Sequence, residues 1–520
     1  MSVAQELSLH PLLRDGAVLQ RNVPVPITGR APAGAAVSLD WKDKTYATSA
    51  DASGKWAILL PAMPAETQGQ TLRVQSGNSS LQINHLLIGE VWLASGQSNM
   101  EWILAECPLQ SAEAARATDP QLRFTTIPRT IAETPADTAP VVWHTATPES
   151  VLKFSAVAYF FARELRAELG VPVGIVASSF GGTPAEAWIP EDSFATDAQL
   201  APTMQRRKNY PDEYRTLFRD YEKKKADHES REAAARRAGL PPPDPLQPPP
   251  PVGENPNLAS VLWNGMIQPL LPFPIRGVIW YQGEANAGEP QKYEHLLSSL
   301  ITAWRAKWRT HGGDFLRGWD RWRWNFHSLL TSPDFPFLVV QLTDFNYPPE
   351  GATGTSWSRL RDAQAAATDR LPSTGLAVTL GLGDAEDIHP QRKMEVGQRL
   401  ARLARKIAYG QNLACTGPIL DSTKAGKSEM EVTFRSFQGS LRTSDGKEPG
   451  PFTLAGQNQK FYPAHGRIDG KRIVLTSAEV PEPVFVRYAW SNRPENPNLI
   501  DESGLPARPF RTDPDPSPNP

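Results

Sequence analysis

The chain has 520 residues, a formal net charge of -2 and 40% hydrophobic residues. This charge balance gives no reason to expect nucleic acid or an anionic membrane surface as a partner. The two cysteines, Cys107 and Cys415, exclude a disulfide framework and leave open one bridge or two free thiols. No apolar run approaches the ~18 residues of a membrane-spanning helix, so no membrane partner is expected.

The first part of the chain has the pattern of a small β-rich domain. Short alternating runs such as Ala35–Trp41 and Thr71–Gln75 are separated by turn clusters rich in Gly, Ser, Asp and Asn. This spacing is typical of a sandwich of short strands. We therefore predict a β-rich accessory domain over residues 1–87.

The pattern then changes to alternating strands and helices over residues 88–412. Helices are predicted at Phe154–Leu169, which Gly170 would cap, and at Lys393–Ala408. Continuous apolar runs predict buried strands at Val171–Ala177, Ile275–Tyr281, Phe337–Leu342 and Leu376–Thr379. Such strands alternating with helices indicate an α/β fold, with a parallel sheet covered on both faces.

Two insertions and a second β-rich region complete the predicted organisation. Residues 205–256 hold a charged stretch that favours a solvated helix, followed by a proline-rich linker. Residues 312–333 interleave tryptophan with arginine, which is typical of a packed flap or a sugar-stacking surface more than of a nucleic-acid site. Residues 413–510 return to a β pattern, and residues 511–520 are predicted to be disordered.

Three predicted strand ends carry small polar loops: Ser95–Asn99, Ser178–Gly182 and Gln282–Asn286. In open parallel sheets, ligands bind beyond the carboxyl ends of the strands. The three loops are therefore expected to meet at one pocket.

Ser98 lies in the first of these loops, just past a buried strand and on a tight turn that contains Gly96. A hydroxyl exposed on such a turn can act as an activated nucleophile. The alternative is a helix N-cap, which is the commoner role for a lone serine in this position. Met100 departs from the G-x-S-x-G pattern, so the turn is not that nucleophile elbow.

A serine nucleophile needs a base, and His389 is the candidate. It precedes a predicted helix and has Asp384, Glu386 and Asp387 just upstream, where a carboxylate can orient the imidazole. Gly181 and Gly182 allow backbone N–H groups to approach a ligand, and Gln282 offers a side-chain donor. The histidines form no zinc-binding pattern, so neither a metal nor another cofactor is expected.

Four blocks, in order, resemble the sialate O-acetylesterase family of SGNH hydrolases. The blocks are GEVWLASGQSNMEW (Gly89–Trp102), GIVASSFGGTPAEAW (Gly174–Trp188), WNGMIQPLLPFPIRGVIWYQGEANA (Trp263–Ala287) and DIHPQRKMEVGQRLA (Asp387–Ala401). The resemblance implies a flavodoxin-like, three-layer α/β/α catalytic domain between small β-sandwich-like domains. It also implies export to the periplasm or outside the cell, although no signal peptide is visible at the N-terminus.

The resemblance also implies roles for individual residues. Ser98 matches the nucleophile, His389 the base, and Gly182 a backbone oxyanion donor. Gln282 is expected to supply the second donor, with Asn286 as the other candidate. The triad acid is expected to be Asp387, with Glu386 as a close alternative.

The implied reaction removes an acetyl group from an O-acetylated carbohydrate through an acetyl-enzyme. The two insertions are longer than is usual in the family and could reshape the substrate cleft. The resemblance therefore supports the reaction more strongly than it supports sialic acid as the substrate. An acetylxylan or other polysaccharide esterase is the main alternative. A non-catalytic glycan-binding protein is a third possibility. The sequence does not indicate an oligomeric state.

Overall fold

The structure is a computed structural model that describes residues 6–314, 334–346, 356–435 and 438–514. By their internal contacts, the residues fall into two compact units. One unit comprises Met1–Pro128, Pro140–Ala185 and Leu270–Pro520, and the other comprises Arg129–Ala139 and Glu186–Pro269.

The strands and helices are numbered in chain order. The strands are β1 Ser8–Leu9, β2 Val18–Gln20, β3 Val25–Arg30, β4 Ala36–Trp41, β5 Lys44–Ser49, β6 Lys55–Leu60, β7 Glu66–Ser76, β8 Ser79–Gly96, β9 Asp119–Thr126, β10 His144–Ala146, β11 Val173–Ser179, β12 Gly277–Tyr281, β13 Phe337–Val340, β14 Thr374–Ala377, β15 Ile419–Ala425, β16 Met430–Arg435, β17 Leu441–Thr443, β18 Phe452–Ala455, β19 Phe461–Asp469, β20 Arg472–Thr476, β21 Phe485–Tyr488, β22 Leu499–Asp501 and β23 Phe510–Arg511. The α-helices are α1 Ser98–Glu101, α2 Pro148–Leu152, α3 Ala156–Leu169, α4 Glu191–Thr196, α5 Ala201–Arg237, α6 Pro290–Asp314, α7 Ser356–Arg370 and α8 Lys393–Ile407.

A parallel sheet forms the centre of the first unit. Its strands lie in the order β9-β11-β8-β12-β13-β14, all parallel, with β10 antiparallel at the β9 edge. Without the edge strand β9, the remaining five follow the doubly wound order 2-1-3-4-5. The order reverses between β8 and β12, so the carboxyl ends of these two strands mark the expected ligand site.

Helices cover both faces of this sheet, as the continuous apolar strands predicted. On one face, Trp92 of β8 meets Phe161 of α3 edge-on with ring centroids 5.1 Å apart, and α8 packs beside α3. On the other face, Trp304 of α6 lies 5.8 Å from Trp280 of β12, also edge-on. Adjacent residues along each strand are therefore buried against different helix layers.

The predicted helices and strands of this region are confirmed within two residues at their ends. Gly170 ends α3 in the left-handed conformation, with φ of 65°, as expected for a helix C-cap. The small differences are of the size expected for fraying element ends.

The predicted domain boundary after residue 87 falls inside a single strand. β8 runs for 18 residues from Ser79 to Gly96. Its first half pairs with β7 and β2, and its second half pairs with β11 and β12. Strands of the N-terminal region and the parallel strands therefore belong to one 11-stranded sheet. The separate sheet β1-β3-β6 lies outside it.

The C-terminal region is β-rich, as predicted. Its main sheet has the order β15-β16-β20-β19-β18-β21-β23, with antiparallel neighbours. The expected disorder from residue 511 is wrong for the first residues of the tail. Arg511 ends β23, and the buried Asp513 carboxylate binds the Arg487 guanidinium at 2.6 Å. This ion pair and the packing of Phe510 on Tyr488 hold the chain there.

The second compact unit contains the charged insertion. A solvated helix was predicted there, and α5 is a helix of 37 residues that begins earlier, at Ala201. The proline-rich segment that follows forms neither helix nor strand, and the Pro250 carbonyl accepts a hydrogen bond from the Tyr210 hydroxyl at 2.6 Å. The tryptophan-rich stretch predicted at 312–333 lies almost entirely outside the described residues.

Candidate active site

The turn after β8 is fixed by Gly96. Its φ is +139°, and a Cβ atom at this position would lie 2.1 Å from the Tyr281 carbonyl oxygen at the end of β12. The next residue, Gln97, donates its backbone N–H to that same carbonyl at 3.0 Å. The two strand ends are thus held together, and helix α1 begins directly at Ser98.

Ser98 does not act as a helix cap. The N-cap of α1 is Gln97, whose side chain makes no capping hydrogen bond. The Ser98 Oγ atom lies 2.9 Å from Nε2 of His389, which is hydrogen-bonding distance. The structure therefore brings together two predicted site residues that are 291 positions apart in the chain.

The carboxylates upstream of His389 point in different directions. Asp387 Oδ1 accepts the backbone N–H of His389 at 2.8 Å and lies 3.5 Å from its Nδ1. Glu386 is exposed and accepts a hydrogen bond from the Asn346 amide at 3.2 Å. Asp384 accepts the backbone N–H groups of Glu386 and Asp387. Of the three, Asp387 is the one that faces the imidazole.

Trp102 and Lys393 complete the surroundings of His389. The Trp102 indole stacks on the imidazole, with centroids 4.2 Å apart and an interplanar angle of 14°. Partial burial lowers the pKa of His389, and the positive charge of Lys393 lowers it further, while Asp387 opposes both. The balance favours the neutral imidazole, which is the form that can accept a proton from a hydroxyl.

The second predicted loop lies against the serine. A Cβ atom added to Gly181 would be 3.3 Å from the Ser98 Cβ. The Gly181 N–H donates to Glu101 Oε2 at 2.9 Å, so this N–H is already used. Gly182 follows with φ of +74°. Among the described parts of the chain, no acceptor is found for the Gly182 N–H.

Gln282 is buried and does not offer a donor to the pocket, contrary to the expectation for it. Its Nε2 donates to the Thr183 carbonyl at 3.3 Å and to Asn286 Oδ1 at 2.7 Å, and its Oε1 accepts from the Tyr293 hydroxyl at 2.7 Å. Both amide hydrogens thus have acceptors. Asn286 is half-buried, and its Oδ1 also accepts the Ala185 N–H at 3.0 Å. Gln282 therefore holds the Asn286 amide in place.

A buried polar cluster beneath the turn was not predicted. Asn99 donates from Nδ2 to Glu284 Oε1 at 2.5 Å and to the Ile388 carbonyl at 3.0 Å, and its Oδ1 accepts from the Lys393 ammonium. One signal was available in the sequence: Lys393 precedes Val396 and Leu400 at helical spacing, so a charge stands on the apolar face of α8.

Several other features bear on the kind of site. Within the described ranges, no group of three or more His, Cys, Asp or Glu side chains could hold a metal ion. Cys107 and Cys415 are both free thiols. Among the helices of the described residues, none is long and apolar enough to cross a membrane.

The chain is similar in sequence and structure to proteins that are named as acetylesterases. A carbohydrate acetylesterase from Xanthomonas citri, known from its crystal structure, matches with a TM-score of 0.79 and 35% identity, over 98% of this chain and 100% of its own. The sialate O-acetylesterase of Rattus norvegicus is 31% identical over 490 residues, which are 88% of this chain and 84% of the relative. The corresponding enzyme of Homo sapiens is 28% identical over 88% of this chain and 82% of its own length.

These relatives identify the class as hydrolases of the acetylesterase type. No protein-family model matches the chain. The sequence identity to the rat enzyme and the share of both chains that it covers are nevertheless sufficient to assign a family. The chain belongs to the sialate O-acetylesterase family.

Proposed function

We propose that this chain is a serine esterase that removes O-acetyl groups from carbohydrates, built on the three-layer SGNH hydrolase fold. The observation that carries the proposal is the 2.9 Å distance between Ser98 Oγ and His389 Nε2, at the strand ends where the sheet order reverses. The names of the relatives, a sialate O-acetylesterase and a carbohydrate acetylesterase, support an acetylated sugar as the substrate.

The proposed reaction has two acyl-transfer steps. His389 takes the Ser98 proton as the oxygen attacks the acetyl carbonyl, and then gives this proton to the departing sugar oxygen. A water molecule, deprotonated by His389, attacks the acetyl-enzyme, and acetate leaves as Ser98 regains its proton. Asp387 is proposed to orient the imidazole and to stabilise the imidazolium.

The negative oxygen of each tetrahedral intermediate needs donors already in place. The Gly182 N–H and the Asn286 side-chain amide are proposed for this role, because Gln282 is committed to other partners. Gln282 is instead proposed as the group that orients Asn286. The Trp102 ring packed on His389 limits the rotation of the imidazole.

Hydrolysis of an aryl acetate by the wild type and by Ser98→Ala tests the chemistry. We expect the substitution to remove almost all turnover, because the nucleophile is lost. A variant that hydrolyses the ester at the wild-type rate would overturn the proposal. Binding of glycans without any turnover by the wild type would support a non-catalytic glycan-binding protein instead.

The preferred sugar requires a separate comparison. Acetate release from O-acetylated sialic acid, acetylated xylan and other acetylated polysaccharides would rank the two esterase alternatives. Preference for O-acetylated sialic acid supports the activity for which the rat relative is named. Preference for xylan supports the polysaccharide alternative.

A further inference from the structure

Two buried charged groups are joined through Asn99, the residue that follows the candidate nucleophile. The exposed fractions are 0% for Lys393, 2% for Asn99 and 8% for Glu284. Burial lowers the pKa of Lys393 to about 8 and raises the pKa of Glu284. The desolvation cost of burying charged groups can exceed what their mutual attraction returns, so the presence of these two groups here calls for a functional explanation.

We propose that Asn99 is a positioning residue for the esterase reaction, and that Lys393 and Glu284 hold it and keep a positive charge behind the catalytic base. This inference rests on the proposed function. It adds three residues that belong neither to the proposed triad nor to the proposed oxyanion donors.

The geometry explains how Asn99 would set the distance between nucleophile and base. Its backbone is bonded to Ser98, and its Nδ2 donates to the carbonyl of Ile388, the residue before His389. The same Nδ2 donates to Glu284 on the loop after β12. One side chain thus ties the serine turn, the histidine loop and the third strand-end loop together.

The two charged partners permit one orientation of the Asn99 amide. Oδ1 faces the Lys393 ammonium, which can only donate, and Nδ2 faces two acceptors, the Glu284 carboxylate and the Ile388 carbonyl. A flipped amide would place its NH₂ against the ammonium and its oxygen against both acceptors. Lys393 and Glu284 therefore fix the amide in the orientation that holds the histidine loop.

The buried cation also acts on the catalytic base. The charged groups that influence His389 are Lys393, Asp387 and Glu106, and Trp102 stacks on the ring. Those that face Lys393 are Glu284, Asp387 and the Cys107 thiol. Lys393 disfavours a second positive charge on His389, which keeps the imidazole available as a base. The pKa of Lys393 is about 8, and the pKa of His389 lies below its ordinary value. Lys393 is therefore charged over the pH range in which His389 titrates.

A purely structural role for the cluster makes a different prediction. If Asn99, Lys393 and Glu284 only fastened the core, their substitution would lower stability and leave the pH profile of kcat/KM in place. A positioning and electrostatic role predicts changes in kcat and in the profile of the folded variant.

The first variant is Asn99→Ala, assayed with an aryl acetate. We expect kcat to fall by about 10- to 100-fold with little change in KM, because the base is misplaced while substrate contacts remain. Wild-type kcat in the folded variant would overturn the proposal. If Ser98→Ala is as active as the wild type, the proposed function has failed instead, and the two failures are thus distinguishable.

The second set is Lys393→Met and Lys393→Arg, measured as kcat/KM against pH. Loss of the cation raises the pKa of His389, so the acid limb of the Met variant should move to higher pH. The Arg variant should keep the limb at the wild-type position. Arg399→Met is a matched control, because it removes a half-buried cation from α8 that is not among the main charges acting on the pKa of His389.

If Lys393→Met does not fold, the double variant Lys393→Met/Glu284→Gln removes both buried charges together and serves for the same measurement. An upward shift of its acid limb supports the proposal. An unshifted limb in a folded variant that carries Lys393→Met, or an equal shift in Arg399→Met, would overturn it.

Discussion

At the residue scale, hydrogen-bond partners determine which of the neighbouring carboxylates faces the His389 imidazole. Asp387 Oδ1 is tied to the backbone N–H of His389, and this bond brings it to 3.5 Å from Nδ1. Glu386, one position earlier, points to the Asn346 amide. A shift of one residue thus separates the candidate acid from an exposed surface group.

Exchange of each carboxylate for its amide separates the two candidates. We expect Asp387→Asn to lower kcat/KM by about 10²- to 10⁴-fold, because the imidazole loses the group that orients and stabilises it. Glu386→Gln is the matched control and should retain activity close to that of the wild type. Steady-state kinetics with an aryl acetate measures both, and the reverse order of effects would assign the acid to Glu386.

The residue roles that the sequence did not predict depend on contacts between distant segments. Gln282 was expected to supply a donor to the pocket. Its side-chain amide instead donates to the Thr183 carbonyl and accepts a hydrogen bond from the Tyr293 hydroxyl of α6. The Lys393–Asn99 contact likewise joins residues 294 positions apart. A sequence motif gives the residue types at a site. The hydrogen-bond partners of each side chain depend on how all the surrounding elements pack.

At the element scale, the turn between β8 and α1 depends on Gly96. Gly96 has a positive φ, which other residues rarely adopt, and it lies against the Tyr281 carbonyl, where a side chain would not fit. Both features require a glycine at this position. Gly170 at the end of α3 also has a positive φ, but a Cβ there would meet nothing within 4 Å.

Gly96→Ala should therefore be more damaging than Gly170→Ala. The second substitution carries only the backbone cost of about 1–2 kcal/mol, whereas the first adds an overpacking cost of about 1–3 kcal/mol or more. Thermal unfolding of the two variants measures the difference, and Gly96→Ala should also lose activity because Ser98 moves. Equal unfolding temperatures would contradict the close approach of β8 and β12.

The helices and strands of the parallel-sheet region were predictable because their sequence patterns are local. The residues of β11 are all buried, as are those of β12, and both read as continuous apolar runs. Helix α3 carries its own stop signal in Gly170. The pairing order of the strands has no such local signal, since it depends on contacts formed after the chain folds.

At the scale of the whole molecule, β8 joins the N-terminal region to the parallel sheet. Leu87 and Glu90 both lie on β8, on either side of the predicted boundary. Leu87 pairs with Val18 of the N-terminal region, and Glu90 pairs with Val173 of the parallel sheet. The alternation of short strands revealed a β-rich region, but it could not reveal that its last strand continues into the parallel sheet.

Removal of residues 1–87 should therefore prevent folding. The truncated chain would cut β8 and expose apolar side chains that the N-terminal strands cover. We expect the fragment 88–520 to be insoluble or to lack a cooperative thermal transition. A folded, active fragment 88–520 would show that the N-terminal region is a separable domain.

The most direct test of the central claim is covalent labelling of the active serine. A fluorophosphonate reacts with a serine whose hydroxyl is activated by a neighbouring base, and peptide mass spectrometry locates the adduct. We predict one adduct, on Ser98, that forms in parallel with the loss of acetate release from an acetylated sugar and is absent in Ser98→Ala. Full labelling at another residue, or undiminished acetate release from enzyme labelled at Ser98, would contradict the account.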